Sequence, residues 1–498
     1  MTKKKLVVIV LDGMPKDMMD ILIKENKIPN LQKFINENAL YEIKSTIPPG
    51  SFPAWPVMLT GKNPAEIGCY DTFGKTGYSY TPKYYSNLRN IWDDLSDAGK
   101  TVGIINVPGT FPAKKVNGFM ITGGYTPSLN SNFIYPQNLK EELREELNNY
   151  DFYIRYNNEF DFIQKMIPLI KTRFKIIDKL YFKYQPDFFI FEEDTIDMIQ
   201  HCFSRYIHKS HPHYKENNHK ELVYNYFEVF DSLIGKFLSK LDPSTKIMII
   251  SDHGSQPQKG KFFLNKLLEE KGFLKLKSLK SNLPLHLKIM KKLKIDDEKI
   301  LYFLSKIKLK KIVSKALAGT KLNRKMIRAG GGISWNVAVE KDLIDWKNTK
   351  AFSIATGFIY INRANKEKEG IVSDDEYEEV RGQIIKELND TKEIELIVYK
   401  KEDLYYGKDF ENAPDIIVHE KSFQYWPTDL VKVNKFVIPL DKHAYHNGIH
   451  SLYGIFTSNL PDVPKKDLEL SYVGKRIRKF FDIENDSEIR KIINDIKL

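Results

Sequence analysis

The feature that most constrains this chain is a short apolar run that stops on two ligand-type residues, Lys246-Ile-Met-Ile-Ile-Ser-Asp252-His253-Gly254. A run this brief and rich in β-branched residues reads as a strand buried on both faces, not as a helix. Comparable runs occur at Leu6 to Val10, Val102 to Asn106 and Phe188 to Phe191, and helical periodicity follows them. That rhythm predicts an α/β fold with a central, mostly parallel sheet covered by helices. In such sheets ligands collect beyond the carboxyl ends of the strands, which makes Asp12 and Asp252 the first candidates for chemistry.

At 498 residues the chain exceeds one ordinary hydrophobic core, so a large catalytic domain carrying insertions is expected. Its 42% hydrophobic and 12% aromatic content excludes a disordered or fibrous chain. The two cysteines, Cys69 and Cys202, have apolar or aromatic neighbours, which suits buried reduced thiols and a cytoplasmic setting. Leu6 to Leu11 runs directly into Asp12-Gly13 with no small-residue cleavage site, and therefore reads as a strand and not as a leader. No stretch approaches the roughly 20 apolar residues needed to cross a bilayer.

The net charge of +12 is unevenly placed. Lys271 to Arg328 holds 18 Lys and Arg against 3 Asp and Glu, so the remaining 440 residues carry −3. This argues against a specific nucleic-acid partner for the whole protein and points to one basic element. Within it Leu and Ile alternate with Lys at mostly helical spacing, as in Leu287-Lys-Ile-Met-Lys-Lys-Leu293. The expected organisation is a catalytic core over 1–275, an inserted basic helical cap over 276–330, and the rest of the core over 331–498. Peripheral contact of the cap with an anionic membrane surface is its functional alternative. From Ile333 onward strand signals return, clearest at Phe358 to Ile361 and Ile416 to Val418.

Three further elements complete a constellation. In Pro48-Pro-Gly-Ser51-Phe-Pro53, Ser51 is expected at the N-cap of a helix running to about Thr60, where the positive helix end favours phosphate. Asp197 and His201, at i and i+4, project from one helical face toward a common ion. His450 lies four residues before Gly454-Ile455, in a stretch that also holds His443 and His446.

In that order Asp12, Ser51, Asp197, His201, Asp252-His253 and His450 resemble the type I phosphodiesterase and nucleotide pyrophosphatase branch of the alkaline phosphatase superfamily. The likeness runs over most of the chain, with echoes at Thr60-Gly-Lys-Asn-Pro64, Phe358-Ile-Tyr-Ile-Asn362 and Ala413-Pro-Asp415. The resemblance implies an alkaline-phosphatase-like α/β/α sandwich and two divalent ions, zinc or, where oxygen donors dominate, manganese. It implies that Asp12, Asp252, His253 and the Ser51 oxygen hold one ion, and Asp197, His201 and His450 the other. Ser51 is then the nucleophile of a phosphodiesterase or nucleotide pyrophosphatase working through a phosphoseryl intermediate. The expected substrate is a small-molecule phosphoester, either a nucleotide or a lipid- or sugar-linked diester.

Phe52 stands where related enzymes place a base-stacking aromatic, and Asp71-Thr72 where they place an Asn on the phosphoryl oxygen, so Phe52 and Thr72 are the substrate-contact candidates. The partner tyrosine expected five residues before Asp197 is replaced by Glu192. The motif argues against a sulfatase, because Ser51-Phe-Pro-Ala-Trp55 has Trp where the formylglycine context requires Arg. A phosphoglycerate mutase would need a large insertion soon after the nucleophile. The alternatives are a phosphomonoesterase or phosphotransferase of the same superfamily, and a non-catalytic anion- or membrane-surface-binding protein using the basic cap. The sequence is silent on oligomeric state.

Overall fold

The four apolar runs all form strands, and these strands lie next to one another. The computed structural model describes residues 4–483 except 72, 75–76, 79–87, 153–155, 157, 278–343, 355, 431–432, 434 and 465. Thr72 and nearly all of the expected cap at 276–330 lie outside the described residues.

The first strands in chain order are β1 (Leu6–Leu11), β2 (Tyr41–Lys44), β3 (Phe73–Gly74), β4 (Gly77–Tyr78), β5 (Val102–Val107), β6 (Gly118–Thr122), β7 (Ile134–Tyr135), β8 (Phe188–Glu193) and β9 (Lys246–Ile250). The second half adds β10 (Gly254–Pro257), β11 (Gly260–Phe263), β12 (Ala351–Ile354), β13 (Phe358–Ile361), β14 (Leu396–Lys400), β15 (Ile416–Glu420), β16 (Tyr425–Thr428), β17 (Val437–Pro439), β18 (Gly448–Ser451) and β19 (Tyr453–Ser458). Eight of them make the central sheet, in the order β2-β19-β9-β1-β8-β5-β6-β7. The five strands β9, β1, β8, β5 and β6 run parallel, while β19 is antiparallel to β9 and β2, and β7 is antiparallel to β6.

Every residue of β1 is at most 1% exposed, as a strand covered on both faces requires. Its alternate side chains divide between two cores. Val7, Ile9 and Leu11 join a cluster with helices Glu159–Tyr184, Thr195–Ile207 and His219–Ser239. Leu6, Val8 and Val10 join one with helices Ser51–Thr60, Ile91–Asp97 and Ser471–Phe480. The architecture is therefore the expected α/β/α sandwich.

The later strand signals belong elsewhere. β13 and β15 sit in a separate four-stranded antiparallel sheet, β12-β13-β15-β14, which has its own core with helices Leu264–Glu270 and Tyr377–Asn389. A small sheet β16-β11-β17 and the pair β10-β18 bridge toward the central sheet, which the chain rejoins at β19. Cys69 and Cys202 are free and buried, as their neighbours suggest.

Phe191 in β8 tests the packing: it is fully buried, with its ring 5.7 to 5.8 Å from those of Phe237, Phe174 and Phe189. Phe191→Ala is expected to destabilise the fold by about 3–5 kcal/mol, read as a lowered urea midpoint at unchanged slope.

Candidate active site

The carboxyl ends of three adjacent strands, β9, β1 and β8, build the site. Asp12 follows β1 directly, Asp252 and His253 follow β9, and β8 leads through Glu193 and Asp194 into the helix Thr195–Ile207 that carries Asp197 and His201. His450 arrives on β18. The six ligand-type residues fall into two groups, Asp12 with Asp252 and His253, and Asp197 with His201 and His450, and within each group the ligand atoms lie within 4.8 Å of one another. The imidazoles of His253 and His450 connect the groups, with ring centroids 4.0 Å apart. Of the three clustered histidines, the spacing to Gly454-Ile455 selected the one that the structure brings into the group.

Ser51 lies against the first group. Its Oγ is 3.0 Å from His253 Nε2 and 3.3 Å from Asp12 Oδ1. The expected N-cap role is corrected: Gly50 occupies the cap position in an extended conformation, and Ser51 is the first helical residue, with no side-chain capping bond. Its hydroxyl is thereby free to face the acids. The other nine residues of that helix are buried, which fixes the direction of its amino end.

The donor chemistry fits divalent cations. His201 Nδ1 lies 3.0 Å from the Gly448 carbonyl, His450 Nδ1 3.3 Å from that of Pro49, and His253 Nδ1 2.9 Å from that of Gly254. A carbonyl accepts only, so each Nδ1 carries a proton and each Nε2 is the nitrogen that would offer a lone pair to a cation. The Nε2 atoms of His201 and His450 face each other at 2.9 Å. Asp197 Oδ1 and Asp252 Oδ2 are buried with no hydrogen-bond partner. Converging lone pairs and orphaned carboxylate oxygens are the arrangement a cation would satisfy.

Electrostatics point the same way. Burial, then the charges of Asp252, Asp197 and Glu192, holds the Asp12 carboxyl well above the usual carboxylate range. Burial alone would raise Asp197 too, but the charge of His201, its hydrogen bond, and the charges of His450 and His253 hold Asp197 far below that range. Burial and the neighbouring His253 push His450 well down. Negative charge is thus in excess on the Asp12 side and is compensated on the other.

Several supporting residues carry no signal of their own in the sequence. Gly13, at φ +66°, is required twice over: any Cβ there would sit 2.6 Å from Asp197 Oδ1. Arg173 reaches Asp194 Oδ1 at 2.5 Å and Glu193 Oε1 at 3.3 Å, and Glu193 also accepts from the Thr195 amide and the Tyr226 hydroxyl, which clamps the turn before Asp197. Asn106, in the left-handed region at φ +62°, donates to Glu192 Oε2 at 3.2 Å. Asn447 uses every polar group it has. Its side chain donates to Cys202 and Tyr445 carbonyls and accepts from the Arg205 amide, its N–H donates to His201 O, and its own carbonyl accepts from His211 and Gln258. The next residue, Gly448, admits no side chain, because a Cβ would lie 2.1 Å from the Gln200 carbonyl. The pair therefore welds β18 to the Thr195–Ile207 helix and brings His450 to His201.

The substrate-contact candidates fare differently. Phe52 is 4% exposed, and its ring meets Tyr125 edge-on at 6.1 Å; Tyr125 itself is 36% exposed. Asp71 is buried and accepts a hydrogen bond from Thr356. Glu192, in the place of the expected tyrosine, is buried beside Asp12.

Fold and site together define an alkaline-phosphatase-like, metal-dependent phosphoesterase. Among solved structures, phosphonoacetate hydrolase from Sinorhizobium meliloti 1021 is similar at 14% identity, covering 96% of this chain and 95% of that one, with TM-scores of 0.55 in its phosphonoformate complex and 0.57 in its phosphonoacetate complex. Murine ectonucleotide pyrophosphatase/phosphodiesterase 5 in complex with AMP covers the same shares at 13% identity and a TM-score of 0.47. The likeness to the hydrolase, at 14% identity and TM-scores above 0.5, establishes the fold alone. No curated protein sequence matches significantly. The family model described as type I phosphodiesterase / nucleotide pyrophosphatase matches residues 6–446, and the chain belongs to that family of phosphoester-hydrolysing enzymes. Among the described residues no helix is long and apolar enough to cross a membrane.

Asn447→Ala should lower stability by about 2–4 kcal/mol, because it removes the three side-chain hydrogen bonds that join Arg205 N, Cys202 O and Tyr445 O to one amide. A thermal or urea unfolding curve checks this, and a loss under 1 kcal/mol, about that of one ordinary hydrogen bond, would contradict the weld.

Proposed function

We propose that the protein hydrolyses phosphodiesters or nucleotide pyrophosphate bonds by attack of Ser51 on phosphorus. The observation that carries the reading is a single hydroxyl placed beside two carboxylate–imidazole groups whose Nε2 lone pairs and unpartnered carboxylate oxygens converge. Asp12, Asp252, His253 and the Ser51 oxygen would hold one divalent cation, and Asp197, His201 and His450 the other. Mixed imidazole and carboxylate donors favour zinc, with manganese as the alternative. When bound, such ions supply positive charge that acidifies the hydroxyl and neutralises the phosphoryl and leaving oxygens.

The residues themselves do the positioning. The helix beginning at Ser51 aims its positive end at the phosphoryl group, and Asp12 and His253 hold Oγ in place for in-line attack. In the first half-reaction an Oγ–P bond forms as the P–O bond to the leaving group breaks, which leaves a phosphoseryl ester. Water then cleaves the Oγ–P bond and regenerates the hydroxyl. Family membership supports this reaction class. On the Ser51 side, a planar substituent of the substrate would meet Tyr125 before Phe52, since Phe52 is covered.

Two measurements test this reading. Exhaustive chelation should abolish hydrolysis of bis(p-nitrophenyl) phosphate, and zinc or manganese should restore it; activity that survives chelation rejects the metal sites. In the same preparations His450→Ala should lose bound metal by mass spectrometry while His446→Ala retains it. Separately, Ser51→Ala should lower turnover by about three orders of magnitude or more. It should leave the unfolding midpoint near that of the wild type, because the hydroxyl makes no capping bond. Near-normal turnover would reassign the nucleophile.

A further inference from the structure

The small sheet β16-β11-β17 places one face beside the second ligand group. In its register Lys261 of β11 lies level with Trp426 of β16 on one side and Ile438 of β17 on the other, so the three side chains share a face. The neighbouring position, Phe262 level with Pro427 and Val437, points the other way into the third core, where Phe262 is fully buried. Lys261 is exposed, Ile438 is 38% exposed and Trp426 is half-buried. This face is therefore open and carries a cation, an indole and an aliphatic side chain in a row.

That row borders the reacting centre on one particular side. The Trp426 ring stands edge-on to His450, with centroids 6.3 Å apart. His446, exposed on the loop before β18, lies with its ring 5.5 Å from that of His201. His201 and His450 belong to the second group, which in the proposed reaction faces the departing oxygen of an in-line displacement. Lys261, level with Trp426 on the same face, stands on the side of the site that Trp426 borders.

The placement is rigid. From the ligand His253 the chain continues through β10, whose Ser255 is in register with His450, and then into β11. Gln258 donates to Asn447 O, Lys259 donates to Gln424 O, and Leu440 donates to Lys259 O. The wall and the second ligand group are thus parts of one hydrogen-bonded frame.

Resting on the phosphodiesterase reading above, we propose that Lys261, Trp426, Ile438 and His446 form a leaving-group subsite. It takes a leaving group with a flat or apolar body that carries its own oxyanion, a phosphate or a carboxylate. Trp426 and Ile438 cover the body, Lys261 pairs with the oxyanion, and His446 offers an N–H to it. Lys261 sets specificity and takes no part in bond making.

The test uses the full-length, metal-loaded protein and three diesters that differ only in the leaving group: methyl phenyl phosphate, methyl 4-carboxyphenyl phosphate and methyl 4-phosphonophenyl phosphate. The readout is the ratio of kcat/KM for each anionic substrate to that for the neutral one. Lys261→Met should lower this ratio by about tenfold and Lys261→Glu by more, whereas Lys261→Arg should retain it. Metal content should stay at the wild-type level in all three variants. The anionic substrate with the larger fall identifies the oxyanion. A ratio unchanged in Lys261→Met, or a wild type that does not distinguish charged from neutral leaving groups, overturns the subsite while leaving the phosphodiesterase reading intact. Absence of Ser51-dependent hydrolysis of all three diesters by the wild type overturns the phosphodiesterase reading, and the subsite with it.

Discussion

Asp12, Asp252 and Glu192 are buried, Asp197 is half-buried, and all four carboxyl groups converge at the ends of three neighbouring parallel strands. Bringing like charges together away from water is unfavourable unless protons, partners or cations compensate them. The position of Asp12, held above its usual range by burial and by its acidic neighbours, records that cost, and the charge and hydrogen bond of His201 at Asp197 show how it is relieved on the other side. A site arranged in this way is poised for cations, and much of the surrounding structure serves to keep it from relaxing.

The central sheet supplies most of that rigidity. Strands β1, β8 and β9 are buried on both faces, so their carboxyl ends cannot shift without disturbing two cores at once. Residues that cannot be substituted without strain occupy the joints. Gly13 allows Asp197 to approach β1, Gly448 allows β18 to approach the Asp197 helix, and Asn447 ties that helix to β18 through every polar group it owns. On the far side of Asp197, the Arg173 clamp on Glu193 and Asp194 fixes where the helix starts. Each ligand-bearing element is therefore held by packing along its length and by hydrogen bonds at its end.

These supports explain what was legible from sequence and what was not. The four core strands could be read from short apolar runs, and the candidate ligand residues that the fold brings together from their place at strand exits or at i and i+4, because both are local patterns. His450 was separable from His443 and His446 by a spacing of four residues to Gly454-Ile455. The N-cap assignment of Ser51 failed by one residue because serine's capping preference was outweighed by the site's demand for its hydroxyl, and Gly50 took the cap instead. The strands at Phe358 to Ile361 and Ile416 to Val418 were visible, but their membership of a second sheet depends on pairings that no local pattern encodes. Asn447 and Arg173 were invisible for the same reason: their partners lie far along the chain, so in sequence one reads as part of an Asn-Gly turn and the other as a helix surface charge.

The division of labour between the sheets has a consequence for how such a site varies. His253 and His450 lie on neighbouring strands, since β10 pairs with β18 from Gly254 opposite Ser451 to Pro257 opposite Gly448. Past β10 the chain enters β11, where successive side chains alternate between the third core and the open face beside the site. Substitution on that open face would, under the proposed subsite, change what surrounds the departing group without altering the strands that carry the acids. Substitution at the strand ends changes the chemistry and threatens two cores together. The clustered acids are thus tied to the part of the molecule least able to move, and the proposed leaving-group face to a small sheet that is anchored to it by backbone hydrogen bonds yet packs against a different core.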